Sequence, residues 1–323
     1  MKKPEPAKKE RVYAALQGKN RGRPPCGEIA FPPEFAGYYH SNSILTGDSN
    51  KNDISPRDLS ILECILSDLR ADIAVISLEP YMAASAVTAG SAAEVKHFIY
   101  NTDYFVLGGV PGIFYPAIEE LGFEEAARMA KKQPEEFRLN LKKLRERHEK
   151  LAADLLSQGT HGIIIFDDLA GSHGPLFSPV MLRQLVFPEL EELISKIRIK
   201  AKPVFFHSDG NITGILHDIM DMGVDVIHGF EGMTLKNIRA VKKILGNRAT
   251  FMGNIPVNFK PDEADKIYTT VREMKKIFTD GRYIFSSDGG TMPASLDNLR
   301  MVYRYFHKLW EGINEQSHNN HTS

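Results

Sequence analysis

The sequence has 323 residues, of which 42% are hydrophobic and 25% are charged, values typical of a globular protein with one large or two ordinary domains. Its 40 Lys and Arg residues balance 41 Asp and Glu residues, so bulk charge gives no case for a partner such as nucleic acid or a membrane surface. No apolar run approaches the roughly 20 residues that span a bilayer, and the charged start has no apolar signal core, so a cytoplasmic protein is expected.

Two cysteines, Cys26 and Cys64, are too few for a disulfide framework or a cysteine metal cluster. No internal repeat or low-complexity linker divides the chain. We therefore expect a single domain over residues 1–323. Within it, residues 1–20 form an N-terminal helical extension, and the polar residues 314–323 form a disordered tail.

Eight short apolar runs recur along the chain, and they do not alternate with polar residues, which is typical of strands buried on both faces of a parallel sheet. The predicted strands are Gly27–Phe31, Asp72–Ser77, Tyr104–Gly109, Gly162–Asp168, Pro203–Asp209, Val224–Phe230, Ala249–Asn254 and Arg282–Asp288. The segments between them have helical periodicity and capping residues, such as Ser55 before Pro56 and Gly159 after a long amphipathic stretch.

Eight strands that alternate with helices predict a (β/α)8 TIM barrel. An open, doubly wound sheet is the alternative. That fold usually carries a glycine-rich phosphate loop after its first strand, and GEIAFPPEFAG is not such a loop, so the barrel is preferred.

The predicted strands end in polar residues, and in a barrel the chemistry takes place at the carboxyl ends of the strands. Any one of these positions could be a plain turn or cap, because Asp and Asn favour both. Six of the eight ends carry carboxylate, imidazole or amide groups, which together suit proton transfer or metal binding. The candidate catalytic residues are Glu79, Asp168, His207, Asp209, Glu231 and Asp288.

Strand alternation refines this set. Asp167 and Asp168 face opposite ways, so Asp168 is expected in the pocket while Asp167 caps a helix or anchors the loop. His207 and Asp209 lie two residues apart and share a face, a spacing at which one strand can present two ligands to one ion. His228 is interpreted more simply as a satisfied core histidine. Glu231 lies between glycines that leave room for a ligand.

Several longer motifs make the chain resemble a known superfamily. The segments FDDLAGSHGPLFSP, VFFHSDGNI, GVDVIHGFEGM, FMGNI and SSDGGTMP are similar, in order and spacing, to those of the uroporphyrinogen decarboxylase superfamily. That superfamily also contains cobalamin- and coenzyme-M-type methyltransferases. The resemblance covers nearly the whole chain and implies a uroporphyrinogen-decarboxylase-like (β/α)8 barrel with its cleft at the carboxyl ends of the strands.

The resemblance is closer to the methyltransferase branch. True porphyrinogen decarboxylases carry an arginine-rich MRQAGRYLPE segment that binds substrate carboxylates, whereas this chain has CGEIAFPPEFAGYY with no arginine. Methyltransferases of the superfamily bind zinc through a His-x-Cys pair and a later Cys. His207 matches the first ligand, Asp209 replaces the first Cys, and Asp288 lies near the second. The resemblance thus implies a metal site of His207, Asp209 and Asp288, with nitrogen and oxygen ligands that bind zinc less tightly than thiolates.

The expected activity is methyl transfer between a small methylated substrate, such as a methoxylated aromatic or a methylamine, and a corrinoid (cobalamin) carried by a separate partner protein. No corrinoid-binding motif is present in this chain. The resemblance also makes a homodimer an expectation. Two alternatives stay open: a decarboxylase of a small carboxylic acid or a porphyrinogen, and a non-catalytic sensor on the same fold.

Overall fold

The computed structural model describes residues 6–31, 35, 59–79, 89, 91–288 and 296–312. The tail expected at residues 314–323 and the predicted cap at Ser55 lie outside these ranges. In the described part of the chain, no helix is both long enough and apolar enough to cross a membrane.

The architecture is a curled parallel sheet surrounded by helices. The strands are β1 (Ile73–Ile76), β2 (Phe105–Pro111), β3 (Gly162–Phe166), β4 (Ala170–Gly171), β5 (Gly174–Pro175), β6 (Val204–Ser208), β7 (Val226–Gly229), β8 (Thr250–Met252) and β9 (Tyr283–Ile284). The helices are α1 (Lys8–Leu16), α2 (Leu59–Asp68), α3 (Ala92–Asn101), α4 (Phe114–Leu121), α5 (Phe123–Lys132), α6 (Pro134–Ser157), α7 (Pro179–Met181), α8 (Phe187–Arg198), α9 (Leu216–Asp221), α10 (Leu235–Leu245), α11 (Ala264–Ile277) and α12 (Leu296–Glu311).

Seven strands form one parallel sheet in the order β1-β2-β3-β6-β7-β8-β9, while β4 and β5 make a small antiparallel ribbon. Each strand of the large sheet pairs with the next strand of that sheet along the chain, with no reversal. A doubly wound sheet requires a point where the strand order reverses, so the alternative fold is wrong. Seven of the eight predicted strands are present in this sheet. The ribbon was not predicted.

The predicted first strand, Gly27–Phe31, is wrong. Only Cys26 forms a parallel bridge, with Phe285. The Cys26 carbonyl also accepts hydrogen bonds from the backbone N–H groups of Asp72 and Ile73, so this segment is bonded to residues at both edges of the sheet. Two prolines precede Cys26 and two follow Phe31. Proline has no N–H to donate, which limits how far a hydrogen-bonded ladder can extend on either side.

A buried ion cluster fixes the N-terminal segment against the sheet. Asp72 accepts hydrogen bonds from Arg11 at 2.9 Å and from Arg23 at 3.0 Å, and its Oδ2 accepts the backbone N–H of Cys26 at 2.9 Å. Asp72 itself is fully buried, so the two guanidinium groups supply the charge compensation that burial requires. The backbone around Cys26 and Glu28 is thereby held beside β1.

The two faces of the sheet pack against different cores. Outward side chains, such as Ile163, Ile165 and Phe206, pack against the surrounding helices. Inward side chains, such as Ile164, Phe166 and Phe205, form a second cluster with Val12 and Ala15 of α1. Both faces are therefore apolar, which explains the unalternated sequence runs. The inward positions change from apolar to polar near the carboxyl ends of the strands, and the candidate site lies there.

Candidate active site

The candidate site begins where β3 and β6 end side by side. Phe166 pairs with His207 in the register of these strands, and Asp168 and Asp209 follow the two strand ends. The Nε2 atom of His207 lies 3.7 Å from Asp168 Oδ1 and 3.8 Å from Asp209 Oδ1. The three side chains form a cluster whose ligand atoms lie within 4.8 Å of one another, close enough to share one ion.

Backbone hydrogen bonds hold this cluster in place. The Asp209 N–H donates to Asp168 Oδ1 at 2.8 Å, and the Leu169 N–H donates to the Ser208 hydroxyl at 3.0 Å. The strand end of β3 is thus tied to that of β6 on both sides of the pocket. The positions of Asp168 and Asp209 are therefore set by the ends of β3 and β6 and by the hydrogen bond between these two residues.

Two atoms of the cluster, His207 Nε2 and Asp209 Oδ1, are buried and have no hydrogen-bond partner among the described residues. His207 is only 1% exposed. A buried polar atom left unpaired costs about 1–3 kcal/mol, so such atoms are uncommon unless a ligand, ion or proton occupies the space between them. The two atoms lie 3.8 Å apart, which makes the gap between His207 and Asp209 the candidate reactive point of the pocket.

Burial is the main cause that shifts the pKa values of Asp209 and His207 so as to favour their neutral forms. Burial raises the pKa of Asp209 to about 8, and the carboxylates of Asp168, Glu231 and Asp288 add to the rise. Burial also lowers the pKa of His207, while Asp168 opposes that change. A protonated Asp209 and a neutral His207 are the result near pH 7 when no cation is bound. In these states the Asp209 carboxyl can donate a proton and the neutral imidazole of His207 can accept one.

A second histidine supports the first. His228 on β7 lies opposite His207 in the strand register, and their Nδ1 atoms are 2.8 Å apart. The Nε2 atom of His228 lies 3.3 Å from the Ser286 hydroxyl, whose oxygen is 3.3 Å from Glu28. His228 is fully buried and both of its ring nitrogens have partners, so the predicted satisfied core histidine is confirmed, and the same contacts connect the pocket to Glu28.

Helix α4 contributes a wall of the pocket that the sequence did not predict. Burial raises the pKa of Tyr115, and the charges of Glu119, Asp168 and Asp209 raise it further. Burial and the Asp168 charge likewise raise the pKa of Glu119. Tyr115 and Glu119 are four residues apart and share one face of α4. This helical spacing of Tyr and Glu after β2 is the feature of the sequence from which the pocket wall could have been predicted.

Asp167 positions this helix. Its carboxylate accepts the backbone N–H groups of Ile113, Phe114 and Tyr115 at 2.7–3.2 Å, which caps the start of α4. Gly112 makes the approach feasible, because a Cβ atom there would lie 2.2 Å from the Asp167 side chain. Asp167 and Asp168 diverge as strand alternation predicts, one to a helix cap and one to the pocket.

The remaining candidates are distributed differently. Glu79 does not join the cluster, because its carboxylate pairs with Arg147 of α6 at 2.7 Å on an exposed surface. Asp288 follows β9, three strands from β6, and affects Asp209 by its charge without belonging to the three-residue cluster. Of the metal ligands that the resemblance implies, His207 and Asp209 lie in the three-residue cluster together with Asp168, and Asp288 does not. Exposed Glu231 also acts on Asp209 through its charge.

Comparisons with known proteins agree with this architecture. The family model described as uroporphyrinogen decarboxylase (URO-D) matches residues 96–309, which is more than half of the 323-residue chain. The chain belongs to the URO-D family. A search among curated proteins finds no match.

Solved structures share the URO-D-like fold. A methyltransferase from Methanosarcina mazei is 18% identical, with a TM-score of 0.74 over 95% of this chain and 100% of that one. A structure described as a vitamin-B12 independent methionine synthase from Listeria monocytogenes is 13% identical, with a TM-score of 0.53 over 89% of this chain and 97% of that one. At these identities the likeness establishes the fold and leaves the chemistry to the site.

Proposed function

We propose that this URO-D family member is a methyltransferase that moves a methyl group between a small methylated substrate and a corrinoid carried by a separate protein. The observation that carries the proposal is the pair of unpaired, buried atoms, His207 Nε2 and Asp209 Oδ1, at the polar end of the sheet. The methyltransferase from Methanosarcina mazei with the same fold supports the reaction class. A (β/α)8 barrel is part of the proposal, supported by the hydrogen bonds of Cys26 to both sheet edges.

The charges of the pocket favour a methylated ammonium over a methoxylated aromatic. The groups that shift the pKa of Asp209 are all acidic, namely Asp168, Glu231 and Asp288. Glu119 and Tyr115 also feel Asp168, and within the described residues no cation contributes to these shifts. Such a pocket stabilises a positive charge. A decarboxylase would need a cationic anchor for its carboxylate substrate, so the same charges argue against that alternative.

The proposed step needs little from the protein beyond charge and orientation. The partner's corrinoid would supply a two-electron Co(I) nucleophile for the methyl group, and the electron pair of the broken C–N bond would stay on nitrogen. The nitrogen must be positively charged beforehand to leave as a neutral amine. The acidic groups keep it so, and a protonated Asp209 can supply the proton when the amine arrives neutral.

The three-residue cluster also fits a metal. Ligands of a tetrahedral zinc site with bonds of about 2.05 Å lie about 3.3 Å apart, so the 3.7 and 3.8 Å separations need only a small contraction. We propose Asp168, His207 and Asp209 as its ligands. Asp209 is ionised in that state, so its role as a proton donor belongs to the metal-free site. When bound, zinc would supply Lewis-acid polarisation. The non-catalytic alternative gives no reason to keep His207 Nε2 and Asp209 Oδ1 buried and unpaired.

Two measurements test the proposal. The first is the zinc content of protein purified without chelator, beside His207→Ala and the exposed control His97→Ala. Stoichiometric zinc that is lost only in His207→Ala supports the ligand set, and equal zinc in both variants refutes it. The second is methylation of free cob(I)alamin, followed by its visible spectrum. Faster turnover of tetramethylammonium than of methoxybenzene supports the cationic substrate, and no methylation from either donor refutes methyl transfer.

A further inference from the structure

Four buried side chains form a continuous line that ends at the reactive gap. They run from Glu28 through Ser286 and His228 to His207, with successive contacts of 3.3, 3.3 and 2.8 Å. None of the four is more than 1% exposed. The line joins four chain segments, namely the N-terminal segment, the residues just after β9, strand β7 and strand β6, and Glu28 is not a member of the three-residue cluster.

Glu28 sets the direction of the hydrogen bonds. Its carboxylate accepts the Ser287 N–H at 3.0 Å and the Tyr303 hydroxyl at 2.8 Å, and the Ser287 hydroxyl also donates to it. An ionised carboxylate can only accept, so the single hydrogen of the Ser286 hydroxyl points toward Glu28. The Ser286 oxygen is then left to accept a hydrogen bond from His228.

The direction propagates through the two imidazoles. His228 donates from Nε2 to Ser286, and the backbone of Ser287 is a further hydrogen-bond partner of this ring. A neutral His228 with its hydrogen on Nε2 then has a lone pair on Nδ1. The 2.8 Å contact between the two Nδ1 atoms needs one hydrogen, which His207 must supply. A neutral His207 with its hydrogen on Nδ1 has a lone pair on Nε2, directed at the gap beside Asp168 and Asp209.

We propose that Glu28 and Ser286 are positioning residues that act through His228 to fix His207 as the Nδ1–H tautomer. At pH values where Glu28 is ionised, the unprotonated Nε2 is then presented to the pocket, as a metal ligand or as an acceptor for a substrate hydrogen. This deepens the proposed function, since it gives the state in which His207 enters the reaction. Histidine ligands of metals commonly depend on a partner for the other nitrogen, and here the partner is a second histidine.

The test reads the tautomer directly. Protein labelled with ¹⁵N-histidine is studied at pH 8.5, without metal or substrate, by two-dimensional NMR of the ring nitrogens. The His207 signals are assigned by their absence in His207→Ala. We expect protonated Nδ1 and unprotonated Nε2 for His207, and the reverse for His228. A His207 ring protonated on Nε2 in the unmodified protein overturns the proposal without any variant.

Two matched variants separate positioning from structural support. Ser286→Ala removes the link to His228, whereas Ser287→Ala removes a hydroxyl from the same carboxylate but no side-chain contact with His228. Ser286→Ala should mix the His207 tautomers and lower zinc affinity about 10- to 100-fold in a competition titration. Ser287→Ala should leave both unchanged. Unaltered tautomers in Ser286→Ala refute the proposal, as does equal disturbance in both variants.

Glu28→Gln provides an independent route if Ser286→Ala does not fold. An amide can donate to Ser286, so the Ser286 hydrogen is free to turn toward His228, and the His207 tautomers should again mix. An unchanged His207 spectrum in Glu28→Gln contradicts the proposal. The tautomer is measured without substrate, and the cobalamin assay tests methyl transfer separately. Failure of the tautomer proposal can therefore be distinguished from failure of the methyltransferase proposal.

Discussion

The ionisation of Glu28 should make stability depend on pH in a way that one substitution removes. Burial raises the pKa of Glu28 to about 7 from its usual 4.5, although Ser287 and Tyr303 donate hydrogen bonds that oppose the rise. The folded protein therefore holds this proton more tightly than the unfolded chain does. The stabilisation is fully present below pH 4.5 and is lost as the pH rises through 7.

The size of the effect follows from the shift. The rise from 4.5 to about 7 corresponds to about 3 kcal/mol, most of which falls between pH 5 and pH 8.5. Glu28→Gln cannot ionise, so its stability relative to the unmodified protein should increase by about that amount from pH 5 to pH 8.5. Lost hydrogen bonds add a constant offset that does not depend on pH.

The assay is urea unfolding at several pH values for the unmodified protein and for Glu28→Gln. Other groups, including Asp209, titrate in both proteins and cancel in the difference. Glu79→Gln is the matched control, because it makes the same chemical change at an exposed ion pair with Arg147 and should show a nearly constant difference. Parallel stability curves for Glu28→Gln and the unmodified protein would refute the reasoning.

Two further substitutions test how the backbone positions the site. Asp167→Asn should lower the free energy of unfolding by about 1–2 kcal/mol in urea, because a charged cap on three N–H groups of α4 becomes neutral; an unchanged value contradicts the capping role. Gly229→Ala should abolish folding, measured by soluble yield and circular dichroism, because its φ is 116° and a Cβ would lie 2.1 Å from the Ser208 carbonyl oxygen. Gly232→Ala, at φ 71° with open space around it, is the control and should fold with a loss of about 1 kcal/mol.

The strands of the sheet were largely predictable because buried parallel strands leave unalternated apolar runs in the sequence. The first predicted strand failed, since periodicity alone does not register the prolines on both sides of it. The ribbon of β4 and β5 was missed for another reason. Each of its strands has two residues, too few to carry any periodic signal.

The site residues also differ in how far their positions could be predicted from the sequence. Asp168, His207 and Asp209 converge because they lie at or just beyond the ends of neighbouring strands, and strand alternation sets their direction. Glu79 lies three residues beyond β1, where loop geometry decides its direction, and it turns to Arg147. Asp288 follows a distant strand. Proximity between strand ends is a tertiary property that apolar patterns do not encode.

The chemistry of the pocket depends on where the inward row of side chains stops being apolar. Phe205 precedes His207 on one strand and Val226 precedes His228 on the next, so the two imidazoles stand directly on the apolar core. That position removes water from both rings and lowers their pKa values. It also leaves His207 with one hydrogen-bond partner from the protein and one open nitrogen. A histidine further out would be solvated and ambiguous in its tautomer. The apolar core excludes water from the two imidazoles, and the acids beyond β3 and β6 supply the negative charge of the pocket. Glu28 is proposed to set the direction of the hydrogen bonds that fix the His207 tautomer.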